Sequence, residues 1–201
     1  KPVYDGRTAI VTGDKNGSQI DLKVESEGVL CATGEATLPE HPPEPPSLSS
    51  FPPAIPPAVR PPADDASLAE GRYLASAEVK FDEQASTDYL RDVREASTIY
   101  RDESLAHPGY LLRLCNRVLV DNVVLAPWIH TGSDLQFHDL ARIGDRLVAR
   151  AHIAANYERK GHRFVDLDCL ILANGEPLLV QIKAVEPAYP LRGRLRVDTP
   201  Q

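Results

Sequence analysis

Pro108-Gly109-Tyr110-Leu111-Leu112-Arg113-Leu114-Cys115-Asn116-Arg117-Val118-Leu119-Val120-Asp121-Asn122-Val123-Val124-Leu125 is the stretch that decides the fold. Its apolar residues Tyr110, Leu111, Leu114, Cys115, Val118 and Leu119 recur at three- and four-residue intervals, which puts them on one side of a helix. Pro108 suits a first helical turn, where its missing N–H costs nothing. The Val-rich end, Val118 to Val124, is weaker helix material, because β-branched side chains lose rotamer freedom there. That argues for burial against a sheet. Pro127 stops the run. A helix is expected over 108–125.

The sequence on either side supplies the sheet. Arg72 to Lys80 reads as a strand, and Asp82 to Ala96 as a polar segment with modest helical character. Four strand-like runs follow the helix: Ile129 to His138, Arg146 to Tyr157, His162 to Ala173 and Pro177 to Glu186. Asn174-Gly175, between the last two, is the strongest short hairpin signal in the chain. A sheet of this kind buries its apolar face only if the helix lies on it. The predicted fold class is α+β, an antiparallel sheet wrapped around a central helix, over 71–190.

Farther out, His41 to Pro62 holds ten of the eighteen prolines. Such a stretch cannot donate sheet hydrogen bonds, and 41–70 reads as an extended linker. It serves as a spacer or surface strap, or as the ligand of a proline-binding module. Before it, residues 1–40 alternate like sheet: Thr8 to Thr12, Gln19 to Glu25 and Val29 to Leu38, with turns at 13–17 and Glu27-Gly28. The order of pieces recurs. Asp5-Gly6-Arg7, Ile20 to Val24 and Gly34 to Pro39 parallel Gly144-Asp145-Arg146, Phe164 to Asp168 and Val185 to Pro187. This reads as an internal repeat whose first copy holds only the later strands. Either its front half is missing from this chain, or a partner supplies it. Residues 191–201 read as a tail. Lys1 starts within strand chemistry and the chain has no Met, which points to a processed or truncated start.

Bulk properties exclude several classes. At 42% hydrophobic and 25% charged the chain fits a soluble globular protein. A net charge of -7 argues against a nucleic-acid surface, which needs surplus Lys and Arg. No apolar run approaches the roughly 18 residues that cross a bilayer, and no signal peptide opens the chain. Cys31, Cys115 and Cys169 match no zinc spacing and make no disulfide framework. A reduced, cytoplasmic location is expected.

Several stretches resemble a known family. Ala106-His107-Pro108-Gly109-Tyr110-Leu111-Leu112 resembles the entry to the central helix of MaoC-like acyl dehydratases, which carry an Ala-His-Gly step there. Ser133-Asp134-Leu135-Gln136-Phe137, followed by Gly144-Asp145-Arg146-Leu147, resembles the family's next strand and its Gly-Asp turn. Glu158-Arg159-Lys160-Gly161-His162-Arg163-Phe164-Val165 looks like actinobacterial proteins of the same kind. The resemblance covers most of 72–190, and weakly 3–39 as the tail of a first copy. It implies a hotdog fold, as a double hotdog with an incomplete first repeat, or a dimer or hotdog partner subunit. It further implies reversible hydration of an enoyl thioester, on coenzyme A or a carrier protein, by an Asp and His pair without metal or redox cofactor.

That chemistry needs a base for the proton alpha to the carbonyl, an acid for the departing hydroxyl, and donors for the enolate oxygen. The first amides of a helix have no partner. Gly109 and Tyr110 are therefore the expected backbone donors. His107, at the helix entry, is the first candidate for acid or base, and Asp102 is its candidate partner. An Asp five residues before a His matches the family signature's spacing, but the signature's Asn-Pro is absent. In a second register His107 matches the helix-entry His, and the segment bearing the catalytic pair has been shortened away. The plainer readings are that His107 caps the helix and that Asp102 is a solvated carboxylate.

Asn116, Trp128 and Ser133 are candidate ligand contacts. Asn116 equally bonds a neighbouring carbonyl, and Trp128 equally anchors a core or interface. Strict alternation puts His130, Asp134, Gln136 and His138 on one strand face, with Thr131, Ser133 and Leu135 on the other. Arg159, Lys160, His162 and Arg163 either meet the phosphates of a carrier arm or form a solvated hairpin. Three functions compete: an acyl-thioester dehydratase or hydratase, a thioesterase with Asp121 as its carboxylate, and a non-catalytic hotdog subunit that binds an acyl chain or completes a partner's site. The fold alone does not separate them.

Overall fold

The computed structural model describes residues 2–41 and 43–186, so the tail expected over 191–201 lies outside the described residues. The chain divides into two units, residues 1–43 and 44–201. In the first, Ile10–Asn16 (β1), Gln19–Ser26 (β2) and Val29–Thr37 (β3) pair in sequence order as an antiparallel meander. β1 runs through Asn16, with Asp14 opposite Asp21 and Lys15 opposite Ile20. The turn read over 13–17 therefore shrinks to Gly17-Ser18.

Register sorts this small sheet into two faces. Val11, Ile20, Leu22, Val24, Val29 and Ala32 share one, while Asp14, Asp21, Lys23, Glu25 and Glu35 share the other. On the apolar face Val11 is 66% exposed and Leu22 38%, while Ile20 and Val24 are half-buried.

The second unit opens with the proline-rich stretch, which over 44–70 is anchored to this unit. Phe51 is buried against Leu170 and Leu172. The Arg60 guanidinium donates to the Val120 carbonyl at 2.8 Å, and Leu68 joins the main core. Tyr73–Ala75 (β4) and Val79–Lys80 (β5) follow, so the strand read over 72–80 is interrupted. Ser76 causes the break. Its Oγ accepts the Ala149 N–H at 3.0 Å and donates to the Ala77 carbonyl, so a side chain stands in for a ladder partner.

Glu83–Asp92 (α1) is capped by Asp82, whose carboxylate accepts the Ala85 N–H at 2.9 Å. Ile99–Asp102 (α2) is one turn. Pro108–Asn122 (α3) is the expected central helix, and its buried side chains are Leu111, Leu114, Cys115, Val118, Leu119 and Asn122. It ends at Asn122 rather than Leu125. Val123 is extended, and Val124 pairs instead with the proline-rich stretch, donating to the Pro61 carbonyl and accepting from the Ala63 N–H. Asn122 seals this end by donating to the Ala75 and Val118 carbonyls, both at 2.7 Å.

Ile129–Phe137 (β6), Arg146–Arg159 (β7), His162–Ala173 (β8) and Glu176–Glu186 (β9) complete a six-stranded sheet. Its order is β4-β7-β8-β9-β6, with β5 also on β7. Asn174-Gly175 makes the two-residue turn expected, both residues at positive φ (54° and 95°). Asn174 adds side-chain bonds to the Arg146 N–H and the Asp145 carboxylate. α3 packs on β4, β7 and β8. Its apolar stripe meets Ala149, Ala151, Ile153, Leu167, Cys169 and Ile171 in one core. The sheet-around-helix architecture is therefore present, and β1–β3, like β7–β9, is a three-stranded antiparallel meander, with no helix of its own among the described residues.

Candidate functional site

The entry to α3 is built from three segments. His107 is the N-cap, with extended backbone (φ -64°, ψ 135°). Its Nδ1 accepts the Gly109 N–H at 2.9 Å. That bond fixes the tautomer, with the lone pair on Nδ1 and the proton on Nε2. Nε2 faces Glu95 Oε2 at 3.3 Å. Glu95 is positioned by the loop after α1, where its carboxylate also accepts the Ser97 N–H at 2.7 Å. This bond and the contact with His107 hold the Glu95 carboxyl below its ordinary value.

Aromatic rings close the rest. The Tyr89 and Tyr100 rings lie 5.4 and 4.7 Å from the imidazole. Tyr89 is a buried residue of α1, and its hydroxyl lies so near Gly109 that a Cβ there would collide with it. Tyr89 also meets Tyr110 edge-on at 5.5 Å, and Phe81 tilts against Tyr110 at 4.7 Å.

Both amides expected as oxyanion donors are engaged within the helix entry. The Gly109 N–H is spent on His107 Nδ1, and the Tyr110 N–H donates to the His107 carbonyl at 2.9 Å. Neither amide is left for a thioester oxygen. The expected catalytic pair is not assembled either. Asp102 sits exposed on α2, and among the described residues its carboxylate makes no hydrogen bond or ion pair. His107 takes Glu95 in its place.

The other candidates are scattered. Asn116 is half-buried two turns into α3. Trp128 lies beyond the C-terminal end of α3, a helix about 22 Å long at 1.5 Å per residue, in a cleft of about 650 Å³ with Val120, Val124 and Leu125. Ser133 is exposed on β6 and hydrogen-bonded to His130 Nε2. Strict alternation had put these two on opposite faces. A bulge between His130 and Gly132 shifts the register and brings them together. Asp121 is committed to the Ala77 N–H and to Arg117 Nε. In the basic hairpin, Lys160-Gly161 is the turn and Arg163 pairs with Asp65. Among the described residues no group of three His, Cys, Asp or Glu side chains could hold a metal. No described helix is long and apolar enough to cross a membrane.

No family model matches the chain, and no curated protein matches it significantly. Solved structures do. A monoamine oxidase regulatory protein from Archaeoglobus fulgidus is 15% identical over 65% of this chain and 98% of its own, with a TM-score of 0.53. The (R)-hydratase PhaJ1 from Pseudomonas aeruginosa is 11% identical over 67% and 95%, with a TM-score of 0.52. A chain of the ChsH1–ChsH2 complex from Mycobacterium tuberculosis is 9% identical over 60% and 98%, with a TM-score of 0.51. At these identities the likeness establishes the fold. The second unit is a hotdog, the architecture of the (R)-hydratases, and the resemblance read from the sequence holds at that level.

Proposed function

We propose that this chain is a hotdog subunit of the acyl-thioester hydratase and dehydratase class whose own helix entry is closed, so that a second hotdog contributes the acid–base pair. The thioester, on coenzyme A or a carrier protein, is the ligand, and no resident cofactor takes part. One observation carries the reading: both ring nitrogens of His107 are committed, Nδ1 to the Gly109 amide and Nε2 to Glu95. A general base needs a lone pair within reach of the substrate proton. The only imidazole lone pair here already holds an amide of the very helix turn that would stabilise the enolate. The class rests on the fold and on the residues around Ala106-His107, and the two-chain assembly of one structural neighbour is in keeping with a partner.

A second reading, a working hydratase on this chain, draws on the same pair. Glu95 against Nε2 is how a carboxylate orients a histidine base, and both side chains remain about a quarter exposed. It requires the cap bond to break so that Nδ1 turns toward substrate. Hydration of a crotonyl thioester by the purified chain separates the two. The first reading predicts no turnover above buffer. Turnover that is lost in His107→Ala and falls in Glu95→Gln would establish the second.

A further inference from the structure

Between α1 and α3 lies a pocket of about 380 Å³ that the thioester reading does not use, a volume within the range of small-molecule sites. Ala85, Tyr89 and Leu114 line it, with Tyr110, Arg113 and Arg117 from α3. The spacing explains why one groove collects these groups: Ala85, Asp88, Tyr89 and Asp92 share a face of α1, and Tyr110, Arg113, Leu114 and Arg117 share a face of α3.

The charges divide unequally. Arg91 is bracketed by Asp88 at 2.8 Å and Asp92 at 3.1 Å. Asp88 also accepts from Gln84 Nε2 at 2.9 Å, and that bond is the main reason its carboxyl is held low. Arg117 is tied to Asp121 at 3.3 Å. Among the described residues Arg113 makes no ion pair or hydrogen bond, yet its charge acts on both tyrosines. Burial nonetheless pushes both phenols up, so they stay protonated and able to donate.

We infer that this groove is a binding site for a phosphate monoester carried on a planar ring, with Arg113 gripping the phosphate. A guanidinium offers a fork of N–H donors that matches two phosphate oxygens, and a phenol hydroxyl serves a third. The edge-on pair Tyr89–Tyr110 and the Leu114 side chain offer the ring an apolar and aromatic wall. Arg91 offsets one of the two charges of Asp88 and Asp92, so the α1 side of the groove stays slightly negative while Arg113 makes the α3 side positive, in a chain of net charge -7. This inference does not depend on the thioester reading.

Calorimetric titration of the whole chain with phenyl phosphate, adenosine monophosphate, benzoate and inorganic phosphate tests it. Both ring phosphates should bind with a Kd below roughly 1 mM. Benzoate and inorganic phosphate should each bind about tenfold more weakly, since one lacks an oxygen and the other the ring. Arg113→Gln should remove the binding, while Arg117→Gln, which loses a cation already paired, should change it less than about threefold. Equal loss in the two variants would reduce the effect to diffuse electrostatics and overturn the site, as would titrations in which no ring phosphate binds. Circular dichroism and melting of each variant separate loss of the site from loss of the fold.

Discussion

Each unit holds a three-stranded antiparallel meander, and the two differ in what lies on it. The second unit carries α3 on the inner face of its sheet, and Leu147, Leu167 and Ile171 beneath it are sealed from water. β1–β3 also gathers apolar residues on one face, though Lys15 lies among them and Ile10 and Leu30 lie on the charged side, and Val11, Leu22 and Val29 remain exposed. Three strands with an apolar face gain stability mainly by covering that face. Binary pattern decides which side is wet, while a packed helix decides whether a core exists. The first unit has the pattern without the cover.

The largest expected effect breaks this comparison most directly. Leu119→Ala, at a position 1% exposed under the sheet, should cost about 3 kcal/mol in chemical denaturation. Leu22→Ala on the meander should cost less than about 0.5 kcal/mol. Equal costs would mean that the meander has a hidden core, and the contrast would fail. Next in size is the cap: His107→Ala should lose about 1 kcal/mol, read as a lower midpoint at unchanged slope. Glu95→Gln should lose less, because its salt bridge is part-exposed.

Two smaller effects depend on pH. The Glu95 carboxyl is depressed in the folded chain, so its contribution is present above its unfolded pKa and fades as pH falls through the folded value. Melting of wild type against Glu95→Gln should therefore converge in acid. Asp166 on β8 behaves oppositely. Burial raises its pKa, with the Asp168 charge adding to the rise and a hydrogen bond from Tyr157 opposing it. The folded chain thus holds that proton more tightly, and stability falls as pH rises past the unfolded value. Asp166→Asn should melt higher than wild type at neutral pH and equally in acid. A variant that melts lower at both would show that the carboxylate is satisfied.

Much of the fold was legible because its signals are local. The stripe from Tyr110 to Leu119 marked α3, and Asn174-Gly175 marked a hairpin that forms as read. The misreadings trace to contacts from far along the chain. Val123 and Val124 leave the helix because Pro61 and Ala63 bond Val124. The strand over 72–80 breaks because Ser76 bonds Ala149. The site was less legible for the same reason. His107 could be recognised as either cap or catalyst, since both uses suit that position. Tyr89, eighteen positions earlier, and Glu95, twelve earlier, decide between them, and no spacing rule ties either to a histidine. The bulge in β6 left no residue signature to read.

The central claim, an α3 entry closed by the chain's own groups, is tested most directly at one atom. The Gly109 amide should be protected from hydrogen exchange about as well as the buried helix interior. Its NMR resonance should stay in place as a non-hydrolysable crotonyl-thioester analogue is added. A Gly109 amide that exchanges freely, or that shifts saturably with the analogue, would contradict the account and return the enolate site to this chain.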